Sequence, residues 1–435
     1  MNARFVKIGA PAVGFNNLKT HKENSHFSVR YLLTENVWNL VSLVKSDRGS
    51  TDISQIRSWF VIVLVLMVMQ NFKQVTETQI TLAVVLTVYN AEAYIKNTLR
   101  NLKLQRVLPD EIIIVDDCST DNSLQICRDL MGETQNVVIV SKEKNEGPGV
   151  ARNIGLERCT SDYVLFLDDD DIFTTELVTV LKSNITSSKP DVCCFLSQEI
   201  SDNFSKPIFV PWYIKRENLP NKKLFSPDEV KSSIFNSFVG WAWDKVFKRE
   251  FIIKNNLLFP SLRNSEDLVF TYLALALSKT IYFLDEVLVF HRVNRQGSVS
   301  SRLKDHPWDF YSAIILTKSR LKNDKLLWDK FEHDFLIWAM HFTLWVGYFL
   351  KNNEVQKALI KKELTELELD RHSIDFFAYY PLDQFLLANL NSWNKRSFRF
   401  QVVLRRILSC IQNYGIKYLY KRLLLRCLEI TRLKF

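Results

Sequence analysis

Between residues 80 and 171, short apolar runs alternate with amphipathic stretches, and each run ends in polar or acidic residues. Residues 80–88 read as a buried strand, because their apolar side chains leave no solvent face. Asn90 then reads as the cap of a helix from Ala91 towards Leu104, with Leu99 and Leu102 on its inner side. Residues 111–115 form a second strand, closed by Asp116 and Asp117. Ser119, Thr120 and Asp121 supply a turn and a cap before a helix through Met131. A third strand at 137–140 leads into the Gly-rich turn at 145–149 and a helix over 150–158. A fourth strand then runs from Tyr163 into Asp168, Asp169, Asp170 and Asp171. This alternation predicts an α/β domain with a Rossmann-like, doubly wound sheet, and it places ligands outside the carboxyl ends of the strands.

Farther on, residues 281–291 read as another strand, and from about Ser301 the pattern turns helical. The expected organisation is an N-terminal extension at 1–78, an α/β domain at 79–300 and a helical, basic region at 301–435. The apolar stretch from Trp59 to Met69 falls short of the roughly 20 residues a spanning helix needs. It fits a membrane-dipping anchor, a buried strand or helix, or residues ahead of a true start at Met67 or Met69. After Asn394 basic residues alternate with Phe, Leu, Ile and Tyr, and Glu429 is the one acid. That pattern suits an anionic membrane surface, and it equally suits a helical hairpin packed on the rest of the protein.

The chain has 435 residues, 47% hydrophobic and 24% charged, with a formal net charge of +9. The length allows two to three domains. The positive balance favours an anionic partner, and no nucleic-acid motif houses the basic residues. Seven cysteines are present, an odd number without C-x-x-C spacing, so they read as reduced core residues of a cytoplasmic protein.

The chemistry concentrates at the strand ends. Four aspartates after an apolar strand are costly to hold together without a divalent cation, and hard Mg²⁺ or Mn²⁺ ions suit such oxygen ligands and leave room for phosphates. Thr87, Tyr89 and Asn90 face the same crevice as Asp116 and Asp117. A carboxylate there can accept from a base N–H or a ribose hydroxyl, and Tyr89 can stack on a planar ring. In NEGPGVARN, Arg152 offers a fork to a phosphate or a carboxylate, or lies on a solvated helix face. Glu266 and Asp267 supply a candidate general base, or simply favourable charge at a helix N-terminus. His291, taken alone, reads more naturally as a core histidine.

TVYNAEAYIKNTL, IIIVDDCSTDNS, NEGPGVARNIGLE and YVLFLDDDDIF, in this order and spacing, resemble glycosyltransferase family 2, the GT-A fold enzymes that use nucleotide-sugars. WDKVFKREFI, the SED segment and HRVNRQGSVS resemble acceptor-side signatures of its capsule and lipopolysaccharide members. The resemblance covers residues 80–301 and names neither sugar nor acceptor. It implies that Thr87, Tyr89 and Asp117 hold the nucleoside, with Asn90, Asp116, Arg152 and Asp169 lining the donor site. Asp168 and Asp170 would be the D-x-D pair, Asp168 towards the ribose and Asp170 on the metal, with Asp171 supporting the loop. Asp267 would be the base, preceded by Glu266, and His291 a late ligand near the metal and diphosphate. The implied reaction is inverting transfer from a UDP-sugar to a hydroxyl of a cell-surface glycan or lipid-linked acceptor, on the inner face of the membrane. A sugar nucleotidyltransferase would instead carry a Gly-rich loop with Arg and Lys after the first strand, where Tyr89-Asn90-Ala91 stands. A non-catalytic protein on the same fold would not need the intact carboxylate set.

Overall fold

The computed structural model describes residues 80–200, 208–209, 213–231, 233–293, 305–306, 308–349 and 358. All of them belong to the unit Thr78–Phe435. The stretch from Trp59 to Met69 and the basic tail after Asn394 lie outside the described residues.

The chain opens with strand β1 (Leu82–Val88), helix α1 (Ile95–Lys103), β2 (Glu111–Asp116), α2 (Ser123–Met131), β3 (Val137–Ser141), α3 (Pro148–Arg158) and β4 (Tyr163–Asp168). It continues through β5 (Ile172–Phe173), α4 (Leu177–Ser188), β6 (Val192–Ile200), β7 (Ile208–Phe209), β8 (Leu224–Phe225), α5 (Ile234–Ser237), β9 (Lys245–Lys248), α6 (Arg249–Lys254), α7 (Glu266–Leu277) and β10 (Ile281–Arg292). Helices α8 (Asp309–Lys322) and α9 (Lys325–Phe349) follow. Every position of β1 is buried, as its unbroken apolar run requires.

The main path of the sheet is β3-β2-β1-β4-β9-β6-β10-β5, with β7 beside β6 and β8 beside β10. Strands β3, β2, β1 and β4 are mutually parallel, and so are β6 and β10. Strand β9 runs antiparallel to both β4 and β6, joining the two parallel blocks. The sheet is therefore mixed, and its first block is the Rossmann-like half.

The start of the first helix differs from the sequence expectation. The helix expected from Ala91 begins only at Ile95, after a turn in which Tyr94 N donates to Ala91 O, while the N–H groups of Asn90, Ala91 and Glu92 donate to Ser119 Oγ, Ser123 Oγ and Asp121 Oδ2. Those bonds fix the entry to the turn, with Asn90 in the left-handed region at φ 49° rather than in the extended conformation of a cap. Asn90 is therefore no helix cap, and its side-chain oxygen accepts from Thr120 N instead. On the other side, Asp121 Oδ1 accepts from Ser123 N where α2 starts. The two loops thus brace each other at the crevice.

Hydrophobic layers cover both sheet faces. On one, α1, α2 and α4 pack through Leu99, Leu102, Cys127 and Leu181. On the other, α3 and α7 join α8 and α9, so Phe310, Ile314, Phe335 and Trp338 share one core with Val85, Phe166 and Phe270. The described helices after residue 301 are continuous with the core of the sheet.

Helix α3 reaches β1 through Gly155, where an added Cβ would strike the Val85 side chain. Gly155→Ala should cost about 1–3 kcal/mol through overpacking, read as a lower urea midpoint with an unchanged denaturant slope. An unchanged midpoint would mean that the contact yields freely.

Candidate active site

The first block brings its strand ends level, with Val88 opposite Asp116 and Thr87 opposite Asp168. Asp116 accepts from Ser119 N through Oδ2 at 3.1 Å, while its buried Oδ1 has no hydrogen-bond partner within the protein. An orphaned buried carboxylate oxygen calls for a donor from outside. Asp117 is turned the other way. Lys142 Nζ, at 2.5 Å, and Glu146 N donate to its Oδ1, and Gly147 N donates to its Oδ2. It clamps the Gly-rich loop, where Gly147 has φ 96°. Lys142, which the sequence pattern did not single out, is nearly buried in this clamp.

The aspartate turn is held from α1 and β1. Thr98 Oγ1 donates to the carbonyls of Asp169 and Asp171 at 2.9 and 3.1 Å, and Tyr89 N donates to Asp169 Oδ2 at 3.0 Å. Asp171 is fully buried and lies 2.9 Å from His291 Nδ1, while Arg292 N donates to the same oxygen. Its Oδ2 has no partner in the protein. Burial raises the Asp171 carboxyl to about 6 against the opposing charge of His291. Burial disfavours the His291 imidazolium, but Asp171 outweighs it and lifts that group to about 9. Asp168, Asp171 and His291 each place a ligand atom within 4.8 Å of the others. Asp170, expected on the metal, is buried and adjacent, and its carbonyl accepts from Arg292 Nε. Carboxylate oxygens with one imidazole, one oxygen orphaned, fit a hard divalent cation.

Arg152 takes the carboxylate choice that its fork allowed. Nη1 donates to Glu266 Oε1 at 2.5 Å and Nη2 to Asp168 Oδ1 at 2.9 Å. The guanidinium is buried and lies 5.4 Å from the Phe259 ring centre. Gly149 permits the approach, since a Cβ there would come within 2.9 Å of Glu266 Cγ. Glu266 and Asp267 do open α7, as their helix-terminus reading required. Ser265, at φ 62°, turns the chain into the helix, and Asp309 at the start of α8 accepts from Arg263 N and Asn264 N. Burial raises the Glu266 carboxyl against the pull of Arg152. Asp267 is half-buried, and desolvation followed by the Glu266 charge pushes its carboxyl up to about 8.

The expected residues thus divide. Thr87, Asp116, Asp168, Asp171, His291, Glu266 and Arg152 are tied into the crevice by register or direct bonds. Asn90 and Asp117 spend their side chains on neighbouring loops. Arg152→Met should destabilise the fold by about 3–5 kcal/mol, because two carboxylates lose a buried counter-ion. A urea midpoint close to that of the parent protein would contradict this.

Residues 83–251 match the family model described as Glycosyl transferase family 2. A poly(ribitol-phosphate) beta-N-acetylglucosaminyltransferase, TarS, of Staphylococcus aureus is 26% identical over 56% of this chain and 41% of its own. A poly(ribitol-phosphate) beta-glucosyltransferase of Bacillus spizizenii is 29% identical over 56% of this chain and 37% of its own. The chain therefore spans well under half the length of these two relatives. The crystal structure of S. aureus TarS 1-349 superposes with a TM-score of 0.54 at 22% identity, covering 76% of this chain and 91% of that one, which shows the fold. With its GT-A architecture and the match over residues 83–251, the chain carries a glycosyltransferase family 2 domain.

Proposed function

We propose that the protein transfers a sugar from a nucleoside diphosphate donor, of the UDP type, to a hydroxyl of a cell-surface glycan, inverting the anomeric carbon. The observation that carries this reading is one crevice holding the orphaned Asp116 oxygen, the Asp168–Asp171–His291 cluster and the raised Asp267 carboxyl. In support, S. aureus TarS 1-349 has been solved in complex with UDP-GlcNAc, and the relatives above are named for transfer to poly(ribitol-phosphate).

In this reading Thr87, Tyr89 and Asp116 line the nucleoside end, and Asp116 Oδ1 accepts an N–H or hydroxyl of the donor. Asp168, Asp171 and His291, with Asp170 beside them, would hold Mg²⁺ or Mn²⁺. When bound, the ion offsets the charge that develops on the departing diphosphate. Asp267, as carboxylate, takes the proton of the acceptor hydroxyl while that oxygen bonds to the anomeric carbon and the bond to the diphosphate oxygen breaks. The sugar passes through an oxocarbenium-like state and is attacked from the face opposite the leaving group. Arg152 and Glu266 act on this step by fixing Asp168 and the start of α7. The basic tail after Asn394 would keep the enzyme at the anionic inner face of a membrane, close to a lipid-linked acceptor.

Asp267→Asn keeps the shape but cannot accept the proton, so turnover should fall at least about a hundredfold while UDP affinity stays near the parent value. Retained turnover would reject Asp267 as the base. Because the base works deprotonated and its carboxyl sits at about 8, kcat/KM should climb with pH towards that value and level off above it. A profile flat from pH 6 to 9 would contradict the assignment. Chelation with EDTA should abolish hydrolysis of UDP-sugars, with recovery on adding Mn²⁺. Asp170→Ala should weaken Mn²⁺-dependent UDP binding in calorimetry. Full activity after chelation would remove the ion from the reaction.

A further inference from the structure

Beyond the aspartate turn, the loop between α5 and β9 carries Trp241 and Trp243. Trp243 is buried and stacks on His291 at 4.5 Å and 13°, and on Trp241 at 4.9 Å and 22°. The centroids of Trp241 and His291 are 5.9 Å apart. Rings on opposite faces of Trp243 would stand two contact thicknesses apart, about 7 Å or more. Trp241 and His291 therefore lie side by side on one face of Trp243, which is the floor beneath them. Trp241 is half-buried and the His291 side chain keeps 21% exposure, so this shelf reaches solvent. Tyr213 meets Trp241 edge-on at 4.5 Å, and its hydroxyl donates to Glu199.

The frame under the shelf is rigid. Lys245 is fully buried and donates to the carbonyls of Val239 and Trp241, both at 2.9 Å, and to Asp244 Oδ1. Three ammonium protons find three acceptors, which offsets the cost of burying the charge. The loop is also pressed on α7. A Cβ at Gly240 would come within 2.6 Å of Leu268 Cδ2, and Leu268 directly follows Asp267. Across the sheet, Asp116 and Thr87 stand on β2 and β1, whereas the shelf belongs to the β9 and β10 side. The loop therefore touches both α7, at Leu268 and Tyr272, and His291 of the Asp171–His291 pair, on the side away from the nucleoside.

We propose that Trp241 binds the acceptor, taking the C–H face of a pyranose ring so that one ring hydroxyl is directed to Asp267. The inference rests on the transferase reading above. C–H bonds polarised by ring oxygens pack on the negative face of an indole, and a few convergent polar groups then fix orientation. The donor sugar has the same kind of face, and the test separates the two.

Hydrolysis of UDP-GlcNAc and UDP-glucose is measured first, then transfer to octyl β-D-glucopyranoside and octyl β-D-galactopyranoside. Trp241→Leu keeps apolar bulk without a ring, whereas Trp241→Phe keeps an aromatic face. In Trp241→Leu the KM for the pyranoside should rise about tenfold, the size of an aromatic contact of roughly 1.4 kcal/mol. Trp241→Phe should recover most of that loss, and KM for the UDP-sugar should move much less in both. Thermal melting confirms that both variants fold. An unchanged pyranoside KM, equal losses in the Leu and Phe variants, or a rise confined to the UDP-sugar overturns the assignment. So does a parent protein that hydrolyses UDP-sugars but accepts neither pyranoside. Absence of any UDP-sugar hydrolysis in the parent would instead fail the transferase reading itself.

Discussion

The site depends on a buried guanidinium that reconciles carboxylates arriving from two distant parts of the chain. Arg152 rises from α3, and its two Nη atoms reach Asp168 at the end of β4 and Glu266 at the start of α7. Without it, a strand ending in acids could not face a helix starting in acids, because neither charge would be compensated away from water. Burial disfavours the Arg152 charge, yet Asp168, Glu266 and Asp267 together hold it on. The same cation tempers Asp267 without pairing with it, and so leaves that carboxyl high enough to exchange a proton near neutrality.

Much of this arrangement was legible in the sequence. The first four strands show as apolar runs ending in polar residues, because a parallel strand covered on both faces has no solvent side to blur it. The register of those strands then fixes where Thr87, Asp116 and Asp168 come together. Asn90 misled as a helix cap, and the Asp117 clamp on the Gly-rich loop went unread, for a common reason. Short polar side chains at strand ends bond to whatever backbone lies near, and those loops are brought close only by the tertiary fold. The fork of Arg152 was readable, but its choice of carboxylate over phosphate depended on Glu266, more than a hundred residues away. Lys142 and Lys245 look like ordinary surface lysines in sequence. Lys245, however, stands directly before the apolar pair Val246-Phe247 in a buried strand, which was the one available signal.

The second half of the site is held by backbone strain and buried charge where the first half relies on register. Ser265 occupies the left-handed region before Glu266 and Asp267, and Asp309 secures the two preceding N–H groups. Such strain persists only where the surroundings over-determine it. Lys245 does the same for the loop carrying Trp241 and Trp243. Both devices place side chains on fixed supports before any substrate arrives, which lowers the ordering cost at the moment of reaction.

Strand β10 and the last helices bear on how the gene could be cut. The segment that matches the family, residues 83–251, stops before α7 and β10, and so before Glu266, Asp267 and His291. A protein made to those limits would expose the edge of β6 that β10 covers, and an uncovered strand invites pairing with other chains. Extending it only to the end of β10 would still remove Asp309 and leave Phe235 and Tyr272 without the aromatic partners that α9 supplies. The shortest piece suited to expression, crystallisation or fusion to another module therefore runs at least through α9, well beyond the segment that matches the family model.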